Sequence, residues 1–307
     1  MERSVVVIGN FDGVHPGHRA VLAEARSREP GLPLIVVTFW PHPVSVLRPE
    51  VGPMLLTGLD ERIELLTAAG ADRVEVVTFT PEFATWSPQR FVDDIVAPLN
   101  PARVVVGANF RFGHRAAGNV ETLRELAAGR FEVEGITLVR YGDEETCSSL
   151  IREALAAGDV AHAAEHLGRP FAFRGIVTRG DRRGRELGFP TANLPVPGDL
   201  ACPVDGVYAG WLTRRDHRGP HGEQLGQRQP ERWPAAISVG TNPTFDGHDR
   251  RVESYVLDRD DLELYDAAVV VEFVDRIRGQ VRFTDIGELI VQMGDDVAQT
   301  RRLLGLG

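Results

Sequence analysis

Two histidines three residues apart mark the first place where this chain could do chemistry. In VVVIGNFDGVHPGH (5–18) an apolar run passes into a glycine-containing loop and then into a helical pattern whose first turn carries His15 and His18. Residues three apart share a helix face. Both imidazoles and the open N–H groups of a helix start therefore converge where an anion such as phosphate is favoured. Gly9, Gly13 and Gly17 permit close backbone approach. The same pair also fits two surface residues or half of a zinc site, yet no third and fourth ligand follows at suitable spacing. The string is neither a G-x-G-x-x-G fingerprint nor a Walker loop. Farther on, Ser148 and Ser149 in CSSLIR (147–152) read locally as caps for the helix that follows. In VESYVLD (252–258), strand alternation sets Glu253 on one face with Tyr255 and Leu257, opposite Val252 and Ser254. An isolated strand carboxylate is by itself most simply solvent-facing.

All 34 basic residues are arginine, against 44 acidic ones, for a net charge of −10. With no lysine there is no Schiff base, no Walker lysine and no kinase strand lysine. Phosphate must be handled by backbone N–H groups, arginine, histidine, hydroxyls or metal. The negative charge argues against non-specific nucleic-acid binding. Cys147 and Cys202 form neither a metal motif nor a disulfide framework, which points to a reducing compartment. No apolar run reaches the ~20 residues that span a bilayer, and the N-terminus lacks an export signal's regions. A cytoplasmic protein with no membrane partner is expected. The sequence leaves the oligomeric state open, a homo-oligomer included.

A length of 307 residues suggests about two domains. Up to residue 168 there are 23 acids and 15 arginines, and beyond it 21 and 19. The element pattern changes at the same place. Apolar runs at 5–8, 34–39, 74–79 and 104–107 alternate with helical segments at 15–28, 59–69, 88–97 and 119–128. That predicts an α/β domain with a parallel sheet covered on both faces. A helix over 150–167 closes at Leu167-Gly168-Arg169-Pro170 and sets the boundary, giving domains 1–167 and 168–307. The later runs FAFRGIVT, GVYAGWLT, AAISVG, RVESYVLD and AAVVVEFV alternate with period two, which predicts an antiparallel β-barrel or sandwich. A terminal amphipathic helix, with Ile286, Leu289, Ile290, Met293, Val297 and Leu304 at helical spacing and Thr284 or Asp285 as its cap, should lie against it. Residues 214–234 read as a flexible hairpin loop.

The string Gly9-Asn10-Phe11-Asp12-Gly13-Val14-His15-Pro16-Gly17-His18 resembles the G-x-(F/Y)-D-x-x-H-x-G-H signature of the nucleotidylyltransferase superfamily in its flavin adenylyltransferase form. TFWPHP (38–43), VVVGANFRFGHRAAGN (104–119) and CSSLIR (147–152) resemble further strings of that family in the same order. RGRELGFPTANL (183–194), DGVYAG (205–210), SVGTNPTF (238–245) and VESYVLD are similar to a riboflavin kinase module. The chain thus resembles the bifunctional riboflavin kinase/FAD synthetase family over nearly its whole length.

The resemblance implies a Rossmann-like nucleotidylyltransferase domain followed by a β-barrel kinase. ATP is the co-substrate of both, Mg²⁺ the cofactor, and riboflavin, FMN and FAD the flavin substrates and products. It implies that Gly9, Asn10, Phe11 and Asp12 form the nucleotide loop and that His15 and His18 bind phosphates. Asn109 holds a phosphate oxygen, and Ser148, Ser149 and Arg152 grip the leaving pyrophosphate. In the second domain it implies that Thr191 and Asn193, within Gly188-Phe189-Pro190-Thr191-Ala192-Asn193, hold Mg²⁺ and nucleotide phosphates, and that Glu253 is the general base. Arginines 174, 179, 182, 183 and 185, with Gly175, Gly180 and Gly184, read as a solvated loop or a flap over ATP. Cys147 and Ser149 depart from the family's S-S-T-x-I-R. The alternatives are a riboflavin kinase with an impaired adenylyltransferase half and a non-catalytic flavin or nucleotide sensor.

Overall fold

The computed structural model describes residues 2–137, 140–141, 144–145, 147–179, 188–215, 231–244, 247–283 and 285–306, with backbone alone for 140–141, 144–145, 242–244 and 247–249. Packing divides the chain into two compact units, Met1–Ser148 and Ser149–Gly307. This divide precedes the helical stretch that the sequence reading assigned to the first domain.

In the first unit, strands β1 (Ser4–Ile8), β2 (Leu34–Trp40), β3 (Arg73–Thr78), β4 (Pro101–Gly107) and β5 (Glu132–Ile136) form one sheet in the order β3-β2-β1-β4-β5. Every pairing is parallel. The central strands β1, β2 and β4 are mostly apolar because both faces are covered. Val5, Val7, Val36 and Val105 pack with Leu22 of α1 (Pro16–Arg28) and Leu66 of α3 (Leu59–Ala68) on one face. Val6, Ile8, Val37, Val104 and Val106 pack with Phe91 of α4 (Pro88–Phe91) and Leu123 of α5 (Val120–Ala127) on the other. A short α2 (Pro43–Leu47) follows β2. The helix expected at 88–97 is regular only for α4, then widens into a π turn at Val92–Val96 and tightens at Ala97–Leu99. Pro98 has no N–H to continue the ladder there. Strand β5 was not foreseen, since two glutamates and a glycine interrupt its apolar pattern. Strands β6 (Arg140–Tyr141) and β7 (Glu144–Glu145) form a small separate ladder.

The single helix expected at 150–167 is two helices, α6 (Ser148–Ala157) and α7 (Val160–Leu167). Gly158 between them takes φ +81, the left-handed conformation that ends a helix, and Asp159 caps the next by accepting the N–H of His162 at 2.9 Å. Strands β8 (Phe171–Ile176), β9 (Thr191–Pro195), β10 (Gly206–Arg214), β11 (Arg232–Thr244), β12 (Gly247–Val256) and β13 (Ala268–Arg278) form a curled antiparallel sheet in the order β8-β13-β10-β11-β12-β9. Its two ends meet where Thr178 N–H donates to Asn193 O at 2.8 Å. Gly210 allows the β10–β13 ladder to shift register, since a Cβ there would stand 1.9 Å from Glu272 O. Helix α8 (Ile286–Leu303), capped by Asp285, lies against β10, β11 and β13 as expected. A buried carboxylate anchors it rather than the apolar stripe alone: Asp296 accepts two bonds from Arg278, at 2.8 and 2.6 Å, while Ile286 and Ile290 stay exposed. Residues 216–230, most of the expected hairpin loop, and 180–187, part of the expected flap, lie outside the described residues.

Candidate active sites

The strand order of the parallel sheet reverses between β1 and β4. In such sheets ligands bind beyond the carboxyl ends of the strands at that reversal. The loop Gly9–His15 leaves β1 there, and Asn109 follows β4 on an exposed turn closed by Phe110 N–H to Gly107 O, 2.9 Å. The β1 loop is strained, with Phe11 at φ 52, Gly13 at φ 83 and Val14 at φ 43. Left-handed conformations at non-glycine residues cost energy and persist only where the surroundings over-determine them.

Asp12 supplies that constraint. Its buried carboxylate accepts the N–H of Leu56 at 3.0 Å, the N–H of Thr57 at 3.2 Å and a guanidinium N–H of Arg62 at 3.2 Å. Arg62 is 0% exposed and donates also to Asn10 O at 3.0 Å and Thr57 O at 3.4 Å. Thr38 Oγ1 donates to Asn10 O at 3.0 Å. Asp12, expected among the nucleotide ligands, is thus turned inward and fixes the loop that carries the other residues expected there. Arg62 was missed by sequence reading, although an arginine four positions before the buried Leu66 of α3 breaks that helix's apolar stripe.

The two histidines come together as their spacing predicts, in unequal roles. His15 is buried and caps α1, its Nδ1 accepting His18 N–H at 3.4 Å. The rings stack with centroids 3.6 Å apart, and Phe11 meets His18 edge-on at 5.2 Å. His18 lines a cavity of about 1060 Å³ together with Gly9, Asn10, Phe11 and Asn109. Its Nδ1 is buried with no hydrogen-bond partner among the described residues. Burial first, then the neighbouring His15 and Arg62, hold its pKa well below the ordinary histidine value. The cavity wall includes Arg48, Arg111, His114 and Arg115 and no carboxylate, and its apolar side is built from Phe39, Phe79, Phe83, Trp86 and Phe112. None of these was singled out from the sequence. Ser148 Oγ donates to Asp12 O at 2.9 Å, which ties the CSSLIR segment to the β1 loop. Helix α6 starts at Ser148, so Cys147 rather than either serine precedes the first helical residue. Ser149 and Arg152 follow three residues apart on that helix.

In the second unit the expected residues meet through sheet register. Glu253 of β12 pairs with Asn193 of β9 on one side and Ser238 of β11 on the other. Tyr255 pairs with Thr191. Val252 and Ser254 are fully buried, so Glu253 and Tyr255 take the opposite face, as alternation predicts. Asn193 Nδ2 donates to Thr191 O at 3.1 Å and to Thr191 Oγ1 at 3.3 Å, bringing the two side chains to one spot. With the amide nitrogen used this way, Oδ1 of Asn193 and Oγ1 of Thr191 are left as hard oxygen donors of the kind that suits Mg²⁺ alongside waters. Gly188 takes φ +85 at the entry to this segment, and Phe189 meets Tyr255 edge-on at 5.1 Å. Gln280, missed from sequence, donates to Ser238 Oγ at 3.1 Å beside Glu253's row.

Comparison with known proteins matches each half separately. The FAD synthetase family model covers residues 1–150 and the riboflavin kinase model residues 167–304. A bifunctional riboflavin kinase/FMN adenylyltransferase of Bacillus subtilis is 34% identical, over 98% of this chain and 92% of its own. That of Escherichia coli K12 is 35% identical, over 99% and 94%. A crystal structure from Streptococcus pneumoniae, described as a macrolide-efflux protein, superposes with TM-score 0.83 at 32% identity, covering 98% of this chain and 94% of that one. Among the described residues no helix is long and apolar enough to cross a membrane.

Proposed function

The chain belongs to the bifunctional riboflavin kinase/FAD synthetase family, and from that premise we propose how its residues divide the two reactions. The enzyme phosphorylates riboflavin to FMN with ATP and then adenylylates FMN to FAD, releasing pyrophosphate. We assign adenylylation to residues 1–167 and phosphorylation to 168–307. One observation carries the assignment: the cavity holding His18 and Asn109 is lined wholly by residues of the first unit, while Thr191, Asn193 and Glu253 stand on paired strands of the second.

In the first module the FMN phosphate attacks the α-phosphorus of ATP directly, so the protein positions the reactants and neutralises charge. His18 Nε2, with Nδ1 buried, serves the phosphates from the cavity wall, and His15 holds the helix start and ring stack that aim it. Asn10, Phe11 and Gly9 shape the floor, and Asn109 offers an amide to a phosphate oxygen. Ser148, Ser149 and Arg152 receive the pyrophosphate through hydroxyls and a guanidinium fork.

In the second module Thr191 and Asn193 would hold Mg²⁺ through their oxygens, and the ion when bound neutralises charge on the phosphates in transfer. Glu253 accepts the proton of the riboflavin 5′-hydroxyl as it attacks the γ-phosphorus. Its pairing with Asn193 puts base and cation ligand on neighbouring strands. Two unpaired cysteines support a reducing, cytoplasmic setting. The test supplies riboflavin and FMN in separate assays with ATP and Mg²⁺ to Thr191→Val, which keeps shape and removes one oxygen. FMN formation should fall and FAD formation from added FMN persist. Equal losses would refute separate sites.

A further inference from the structure

Helix α7 carries His162-Ala163-Ala164-Glu165-His166, a run that neither reaction uses. Two histidines four residues apart on one helix face, with a glutamate beside the second, is the arrangement in which helices offer imidazoles to a transition metal. The geometry agrees with the spacing. Nε2 of His162 and Nε2 of His166 stand 3.2 Å apart, with the rings nearly perpendicular at 88°. Two nitrogens each ~2.0–2.1 Å from one tetrahedral ion stand only slightly farther apart than this. On the far side of His162, Nδ1 lies 3.5 Å from Glu165 Oε2. A carboxylate drawn onto that second ring nitrogen would fix the tautomer that leaves Nε2 as the ligand. His166 is buried and His162 half exposed, so one ligand is rigid and the other open to solvent.

We propose that His162 and His166 form a two-imidazole clip for a borderline first-row divalent ion, such as Zn²⁺, Ni²⁺ or Cu²⁺, in which the metal takes the place of the proton shared between the two Nε2 atoms. Imidazole selects these ions over Mg²⁺, so the clip is chemically distinct from the oxygen pair at Thr191 and Asn193. Among the described residues no group of three or more histidine, cysteine or acidic side chains is placed to hold a metal. Water would complete the coordination. Bound metal would staple two successive turns of an eight-residue helix that packs on β8 and β13.

The test titrates the full chain, without an affinity tag, with Ni²⁺ followed by calorimetry, and with Cu²⁺ followed by electron paramagnetic resonance. Wild-type protein should bind one more equivalent than His162→Ala, and the Cu²⁺ spectrum should lose a two-nitrogen signature in that variant. His162 is the exposed partner, so this change leaves the buried helix face in place. Glu165→Gln should keep the site and weaken it by roughly tenfold. Equal stoichiometry in wild type and His162→Ala, or a nitrogen signature that survives the substitution, would overturn the proposal.

Discussion

The adenylyltransferase loop and the kinase strands reach precision by different physical routes. The β1 loop holds three left-handed residues in four positions and keeps them there with a buried Asp12–Arg62 pair, two backbone N–H donors and a stacked histidine pair. The kinase row needs no such clamp. Asn193, Glu253 and Ser238 are aligned by the register of three antiparallel strands. A loop site stores strain and is vulnerable at its clamp, whereas a register site is vulnerable only at the reacting groups themselves.

The sharpest break in that comparison is Glu253→Ala. Loss of a general base costs about 10²–10⁴ in rate, and neighbouring strands keep the register, so the thermal transition should barely move. FMN formation should collapse while added FMN is still converted to FAD, as product chromatography would show. A large drop in melting temperature would mean that Glu253 is structural.

Arg62→Met attacks the other design at its clamp. It leaves Asp12 as a buried carboxylate without its cation, a loss of about 3–5 kcal/mol. Denaturant unfolding should show the first unit destabilised, with FAD formation lost and riboflavin phosphorylation retained. Parallel loss of both activities would contradict a clamp local to the first unit. His18→Ala comes next, removing the proposed phosphate donor without removing either member of the ion pair, for about 10²–10³ in FAD formation and little change in kinase rate.

A pH series separates the two designs more gently. The folded-state pKa of His18 is lowered by burial, His15 and Arg62. The unfolded chain therefore binds more protons than the folded one below the ordinary histidine value of about 6.5. Its contribution is fully present above that pH and is lost as pH falls towards the depressed folded value. The melting temperature of the first unit should drop between neutral and mildly acidic pH, and His18→Gln should flatten that slope. An equal slope in both proteins would remove His18 as its source.

How much of this could be read in the sequence follows from the same contrast. The β1 strand, the paired histidines and the facing of Glu253 are local periodicities, and each holds in the structure. The clamp is not local, since Arg62 and Asp12 are 50 residues apart. Strand β9 hid inside a motif whose prolines and asparagine are poor strand formers. The division of 148–167 into two helices hinged on Gly158, where a left-handed glycine outweighed the apolar periodicity on either side. The cavity's arginines and aromatic wall come from segments that only the sheet's strand order brings together.

Cys147→Ser carries the smallest effect and asks how far the loop clamp alone completes the adenylylation site. Cys147 precedes the first helical residue, where serine caps well and a thiol is a weak acceptor. The substitution should stabilise the helix start by about 1 kcal/mol, seen as a rise of a few degrees in melting temperature. The neighbouring hydroxyl is already placed, because Ser148 Oγ donates to Asp12 O at 2.9 Å and so rests on the clamped loop. FAD formation should therefore change by less than about tenfold, a smaller effect than removal of a phosphate donor, and riboflavin phosphorylation not at all. A larger gain in FAD formation would mean that position 147 reaches the phosphates itself, and that the loop clamp does not by itself complete the adenylylation site.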